Sequence, residues 1–129
     1  MVIDSSALLA ILLGEPEQVP FIEAITADST RLCGAATLFE TSLVMLSRKG
    51  GPGLADLRAF HDRAAIQTAA FAPEHVELAT DAFRRFGKGR HPAGLNFGDC
   101  FAYALARATG QPLLFKGDDF ARTDIERVV

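Results

Sequence analysis

MVIDSSALLAILLGE, residues 1–15, reads as a strand running directly into a helix, with Asp4 at the joint. Val2 and Ile3 are β-branched and apolar, which suits a short buried strand, and the run after the two serines is built of helix formers up to Gly14. Asp4 therefore stands where strand becomes helix. As an N-cap it would accept hydrogen bonds from the unpaired N–H groups of the first helical turn. At the rim of a sheet it would equally serve as a metal ligand. One carboxylate does not choose between these roles, so the rest of the chain has to.

The strand–helix alternation continues. EPEQVPFIEAITAD reads as a second helix with Pro16 in its opening turn and Phe21, Ile22 and Ile25 at helical spacing, Pro20 restricting it toward its later turns. RLCGAA is a second strand and TLFETSLVMLSRKG a helix stopped by a basic last turn and Gly50. Gly50 to Gly53 make a turn between helices, followed by the amphipathic helix LADLRAFHDRAA. AIQTAAFA is a third strand, PEHVELATDAFRRFG a helix punctuated by Pro73 and Gly87, and KGRHPAGL an irregular basic loop in which mobility is expected. GDCFAYALARATG is a helix, PLLF a fourth strand, GDDFARTD a turn region and IERVV a final short strand. This pattern predicts an α/β fold, a single domain over residues 1–129 with a short parallel sheet flanked by helices on both faces. Ligands of such sheets bind beyond the carboxyl ends of the strands.

Bulk properties agree with one globular unit. The chain has 129 residues, 49% of them hydrophobic, enough for a core. Mean hydropathy is +0.18, yet no apolar stretch approaches the ~20 residues of a membrane span. The N-terminus lacks the pattern of a secretory leader, which predicts a cytoplasmic protein. Cys33 and Cys100 form no CxxC and lie in apolar surroundings, as buried thiols in a reducing compartment do. Net charge is −3, without the basic balance typical of nucleic-acid binding, although metal ions held by carboxylates add positive charge that a count of Lys and Arg misses.

The acids gather at one edge of the predicted sheet. Asp4 ends the first strand, and Asp118 and Asp119 follow the fourth. Glu40, in TLFETS, and Asp99, in NFGDCF, fall in first helical turns at the same edge. Ordinary capping explains much of this: Thr37 to Glu40 fits a capping box, Asn96 suits the cap of the helix holding Asp99, and GDD is common turn chemistry. Capping does not explain the neighbours Ile3, Phe39, Phe97 and Phe101, which predict partly desolvated surroundings. Carboxylates converging there repel and take up protons unless a cation neutralises them, and an all-oxygen set open to water favours Mg²⁺ or Mn²⁺.

The order VIDSSAL, FETS, NFGDCFAYALA and LLFKGDDFARTDI resembles the PIN domain, and more closely the VapC-type toxin ribonucleases of bacterial toxin–antitoxin pairs. The likeness runs from the first strand almost to the C-terminus. It implies a Mg²⁺- or Mn²⁺-dependent endoribonuclease that cleaves RNA as the toxin of a type II system, forms a homodimer and is inhibited by a VapB-type antitoxin. Carried over by position, Asp4, Glu40 and Asp99 are the metal-binding catalytic acids. Where many PIN domains have a fourth Asp this chain has Gly117, so Asp118 or Asp119 takes its place, with Asp118 the nearer to the strand end.

Bound metal supplies a nucleophile at neutral pH and coordinates phosphate oxygen, so no histidine base is required. Ser5, Ser6 and Asn96 are neutral groups suited to orienting water or a carboxylate, or to capping alone. Lys116, Lys88 and Arg90, with Arg48, Lys49 and His91, are candidates for the RNA backbone track or plain surface charges. The second helix and the helix around Leu43, Val44 and Leu46 offer apolar surface for partners. A receiver-like module would want an acceptor acid after the third strand, where Phe71-Ala72-Pro73 stands. The alternative from another class is a non-catalytic PIN-fold protein-binding module, against which the three matched acids speak.

Overall fold

The computed structural model describes residues 1–129. Four parallel strands form one sheet in the order β3-β2-β1-β4, with β1 Val2–Ile3, β2 Leu32–Gly34, β3 Gln67–Ala69 and β4 Leu113–Leu114. Val2 registers with Leu32 on one side and Leu113 on the other. The helices are α1 Ser5–Leu12, α2 Gln18–Ala27, α3 Ala35–Arg63, α4 Pro73–Phe86 and α5 Phe97–Thr109. The chain leaves central β1 outward through β2 and β3, then crosses back to place β4 on the other flank of β1. The strand order therefore reverses between β1 and β4, and the crevice beyond their carboxyl ends is the place where such sheets bind ligands.

Successive strand residues face opposite sides, which divides the core in two. Met1, Ile3 and Leu114 pack with Leu8, Ile11, Phe21 and Ile25 of α1 and α2. Val2, Leu113 and Phe115 pack with Ala102, Tyr103, Leu105 and Ala106 of α5. Cys33 and Cys100 are free and buried, as expected.

Several boundaries differ from expectation. α3 begins at Ala35 directly after β2, with Gly34 as an extended N-cap that makes no side-chain bond. Two alanines favour immediate helix formation, so Thr37 caps nothing and Glu40 falls in the second turn. The expected Gly50–Gly53 turn contracts to one kinked residue, Gly50, at φ 63° and ψ −150°, inside a segment that remains helical on both sides. α2 starts only at Gln18, leaving Pro16 outside and Pro20 in the first turn, where a missing N–H costs no helical bond. The final strand expected over IERVV reduces to a single bridge between Leu113 and Arg127. Leu114 accepts from the Asp4 N–H on the β1 side, whereas only Leu113 bonds the tail, through Glu126 and Val128. The Gly87–Leu95 loop is irregular but pinned at its base, where the Lys88 N–H donates to the Leu95 carbonyl at 2.9 Å.

Candidate active site

Asp4 forms the helix cap its position allowed, at the carboxyl end of β1. Its backbone is extended and its side chain caps α1. Oδ2 accepts the Ser6 N–H at 3.0 Å and the Ser6 hydroxyl at 2.6 Å, which leaves Oδ1 outside the cap. The residue is only 3% exposed. Burial raises its pKa, the Ser6 bonds oppose that shift, and the Glu40 charge adds to it.

Glu40 reaches the rim from α3. Its Oε1 accepts the Ser5 hydroxyl at 2.5 Å, and its carboxylate lies directly on the backbone of α5 at Gly98, where an added Cβ would overlap Oε2. Asp99 follows at the third position of α5 in a reciprocal cap: the Asn96 N–H donates to Asp99 Oδ2 at 2.9 Å, and the Asp99 N–H to Asn96 Oδ1 at 2.9 Å. The capping expected of Asn96 is therefore formed. Burial pushes the Asp99 carboxyl up to about 7; the Asn96 N–H opposes the shift, and the charges of Asp4, Asp119 and Glu40 add to it.

These influences define who shares the rim. Asp4, Glu40 and Asp119 lie close enough for their charges to raise Asp99, and Glu40 raises Asp4 as well. Asp118, the sequence's nearer candidate, is not among the charges acting on Asp99, and it and Asp119 are both exposed. No lysine, arginine or histidine forms an ion pair with any of these acids. No three of them stand at chelating distance.

Lys116, expected to meet phosphate, is engaged elsewhere. Its N–H donates to Ser6 Oγ at 3.0 Å, while its ammonium pairs with Glu15 and, at 3.2 Å, with Glu17. Lys88 and Arg90 project from the loop that leads into Asn96, and the Arg90 guanidinium lies 5.7 Å from the Phe83 ring centre. His91 spends Nδ1 on the Ala93 N–H. Arg48 and Lys49 stand two turns along α3 from Glu40, roughly 12 Å down the helix axis and away from the rim.

The aromatic neighbours are the main correction. Phe39 and Phe97, expected in the core, are 63% and 81% exposed. Ile3 is buried as expected and Phe101 partly so. Phe97 stacks edge-on against Phe101, and Phe101 against Phe71, with centroids 4.9 and 4.6 Å apart. Together with Val76 and Phe83 they line a groove of about 540 Å³ between α4 and α5. Sequence reading missed this groove and the role of Gly98; a glycine in the first turn of an alanine-rich helix was the available signal.

The family model of the PIN domain matches residues 1–126. The chain is 50% identical over 128 residues to Ribonuclease VapC30 of Mycobacterium tuberculosis, covering 99% of this chain and 98% of that one. Its fold is similar to the crystal structure of M. tuberculosis VapC20, a Sarcin-Ricin loop cleaving toxin, with a TM-score of 0.77, 16% identity and 96% and 95% coverage. VapBC2 from Rickettsia felis, solved bound to a DNA fragment from its promoter, matches with a TM-score of 0.73 and 15% identity, covering 98% of this chain and 94% of that one.

Proposed function

We propose that this chain, which belongs to the PIN-domain family and within it to the VapC ribonucleases, is a divalent-metal-dependent endoribonuclease acting as the toxin of a type II toxin–antitoxin pair. The observation that carries the metal reading is the rim itself. Asp4, Glu40 and Asp119 all act on Asp99, and none of the acids has a basic partner. In donor chemistry, though without three of the acids at chelating distance, an all-oxygen set with Asp4 Oδ1 outside the Ser6 cap suits Mg²⁺ or Mn²⁺ and suits zinc poorly. Asp4, Glu40 and Asp99 would hold the ion, with Asp119 favoured over Asp118 as the fourth acid. When bound, the ion lowers the pKa of water and offsets charge on the phosphodiester.

The chain's own residues supply the rest. Ser6 fixes the Asp4 rotamer, Ser5 fixes Glu40, and the Asn96 cap fixes Asp99, so each acid is aimed by a hydrogen bond to a neutral group. Lys88 and Arg90, on the loop entering α5, are suited to the RNA backbone. Lys116 is better suited to holding Glu15 and Glu17 near the end of β4.

Two apolar surfaces support two protein partners. The aromatic groove between α4 and α5 is suited to a second copy of the chain. Val19 and Ile22 of α2, with Phe39, Leu43 and Leu46 of α3, are exposed and suited to a VapB-type antitoxin. No helix is long and apolar enough to cross a membrane.

The decisive assay incubates EDTA-stripped protein with total RNA, then restores Mg²⁺ or Mn²⁺, beside an Asp4→Asn variant. Cleavage that returns with the ion in wild type alone is the expected result. Equal cleavage in EDTA would overturn the metal reading, and no cleavage under any condition would leave a protein-binding module.

A further inference from the structure

Gly98 occupies the second position of α5 without any conformational need for glycine. Its φ is not positive, unlike those of Gly50, Gly110 and Gly117, and alanine is the better helix former at such a position. What the residue provides is room. An ideal Cβ at Gly98 would overlap Glu40 Oε2 and stand 2.9 Å from Cδ and 3.2 Å from Oε1, and the three nearest atoms all belong to Glu40. Glu40 comes from α3 and Gly98 from α5, so this contact decides how close one helix's carboxylate comes to the turn carrying the other's. The Ser5 hydroxyl, from α1, holds the same carboxylate at 2.5 Å.

We propose that Gly98 is a positioning residue for Glu40: the bare backbone of α5 is the seat on which the Glu40 carboxylate rests beside Asp99, and the Ser5 hydroxyl holds it there. The inference deepens the reading of the rim as a divalent-cation site and rests on it for the consequence, though not for the contact itself. A Cβ at Gly98 displaces the flexible end of a side chain that is only half-buried, so Glu40 has room to shift. The fold therefore tolerates the substitution while the site does not.

The test is Gly98→Ala, measured for metal-free melting and for Mn²⁺ affinity by titration. Melting should stay within about 3 °C of wild type, since lost contact and gained helix propensity oppose each other. Mn²⁺ affinity should fall at least about tenfold, as for other lost positioning contacts. Two further variants identify the cause. Added to Glu40→Ala, Gly98→Ala should change Mn²⁺ affinity less than about twofold, because the Cβ then meets nothing. Added to Glu40→Asp, whose carboxylate sits one methylene further back, it should be tolerated better than beside the native glutamate.

Wild-type affinity in Gly98→Ala overturns the proposal, as does an equal loss with and without Glu40. Should Gly98→Ala melt much lower, restoration by Glu40→Ala supports the seat and failure to restore overturns it. Wild type that binds no Mn²⁺ overturns the cation-site reading instead, and the melting comparison of the single and double variants then still decides the contact.

Discussion

The Ser6 hydroxyl donates to Asp4 Oδ2 at 2.6 Å and itself accepts the Lys116 N–H at 3.0 Å, so one side chain ties the end of β1 to the second residue after β4. It crosses the crevice where the strand order reverses. Removing it in Ser6→Ala leaves a buried carboxylate with a single bond and a backbone N–H without its acceptor, a loss of about 1–3 kcal/mol. We expect a lower urea midpoint, and cleavage down about 10- to 100-fold because Asp4 loses its orientation. Ser6→Thr, which keeps the hydroxyl, should recover most of both. An unchanged cleavage rate in Ser6→Ala would reduce Ser6 to a structural tie.

Asp99→Asn separates stability from function. The amide oxygen still accepts from the Asn96 N–H, so the cap survives while the charge disappears. Cleavage should fall at least about 100-fold, as for one member of a cooperating set. Metal-free stability should move the other way, and its pH dependence gives the sign. The folded pKa of Asp99 is raised to about 7, above the ~3.9 of an unfolded Asp. The folded state therefore binds the extra proton between these values, and the associated stability is present at low pH and lost as pH rises through about 7. Metal-free wild type should melt lower at pH 8 than at pH 5.5, and Asp99→Asn should flatten that difference. Asp28, Asp81 and Asp124 are shifted down, so their contributions change only below this window. An identical slope in the variant would place the titration elsewhere.

How much of this was legible beforehand follows from the kind of interaction involved. The strand–helix joint at Asp4 and the Asn96 cap are local, readable from a few adjacent residues, and the alternation of elements carries the parallel sheet. Glu40 and Gly98 touch across 58 positions of chain, and such a contact leaves only a faint local trace. Phe39 and Phe97 misled because hydrophobicity signals burial only within one chain; a partner surface has the same composition. The capping box at Thr37 failed because two alanines upstream had already started the helix.

The fourth acid should be Asp119. Asp118 is the nearer in sequence to β4, yet it is Asp119 that leads the 3-10 turn Phe120–Arg122 and acts on Asp99. Phe120, the residue after Asp119, is buried; Asp118 and Asp119 are both exposed, so the choice rests on the charge that Asp119 exerts on Asp99. We expect Asp119→Asn to lower cleavage about tenfold or more and Asp118→Asn to change it less than about twofold, at saturating Mn²⁺ and at low Mn²⁺ alike. The reverse order would return the role to Asp118.

Phe97 should be the anchor of the homodimer. It is 81% exposed, and its visible packing in the chain is edge-on to Phe101, so its ring contributes little to the monomer's core. Burying a phenylalanine ring from water contributes about 1.5–3 kcal/mol, and a two-fold interface buries each such residue twice. Phe97→Asp places a charge at the centre of that seam. Sedimentation at micromolar concentration should show wild type as a dimer and Phe97→Asp as a folded monomer with wild-type metal-free melting at matched low concentration. Leu43→Asp, on the other apolar surface, should remain dimeric and instead lose co-purification with the product of the adjacent upstream reading frame. A Phe97→Asp dimer together with a Leu43→Asp monomer would exchange the two surfaces, because the seam would then lie on α3 and the α4–α5 groove would be free for the antitoxin.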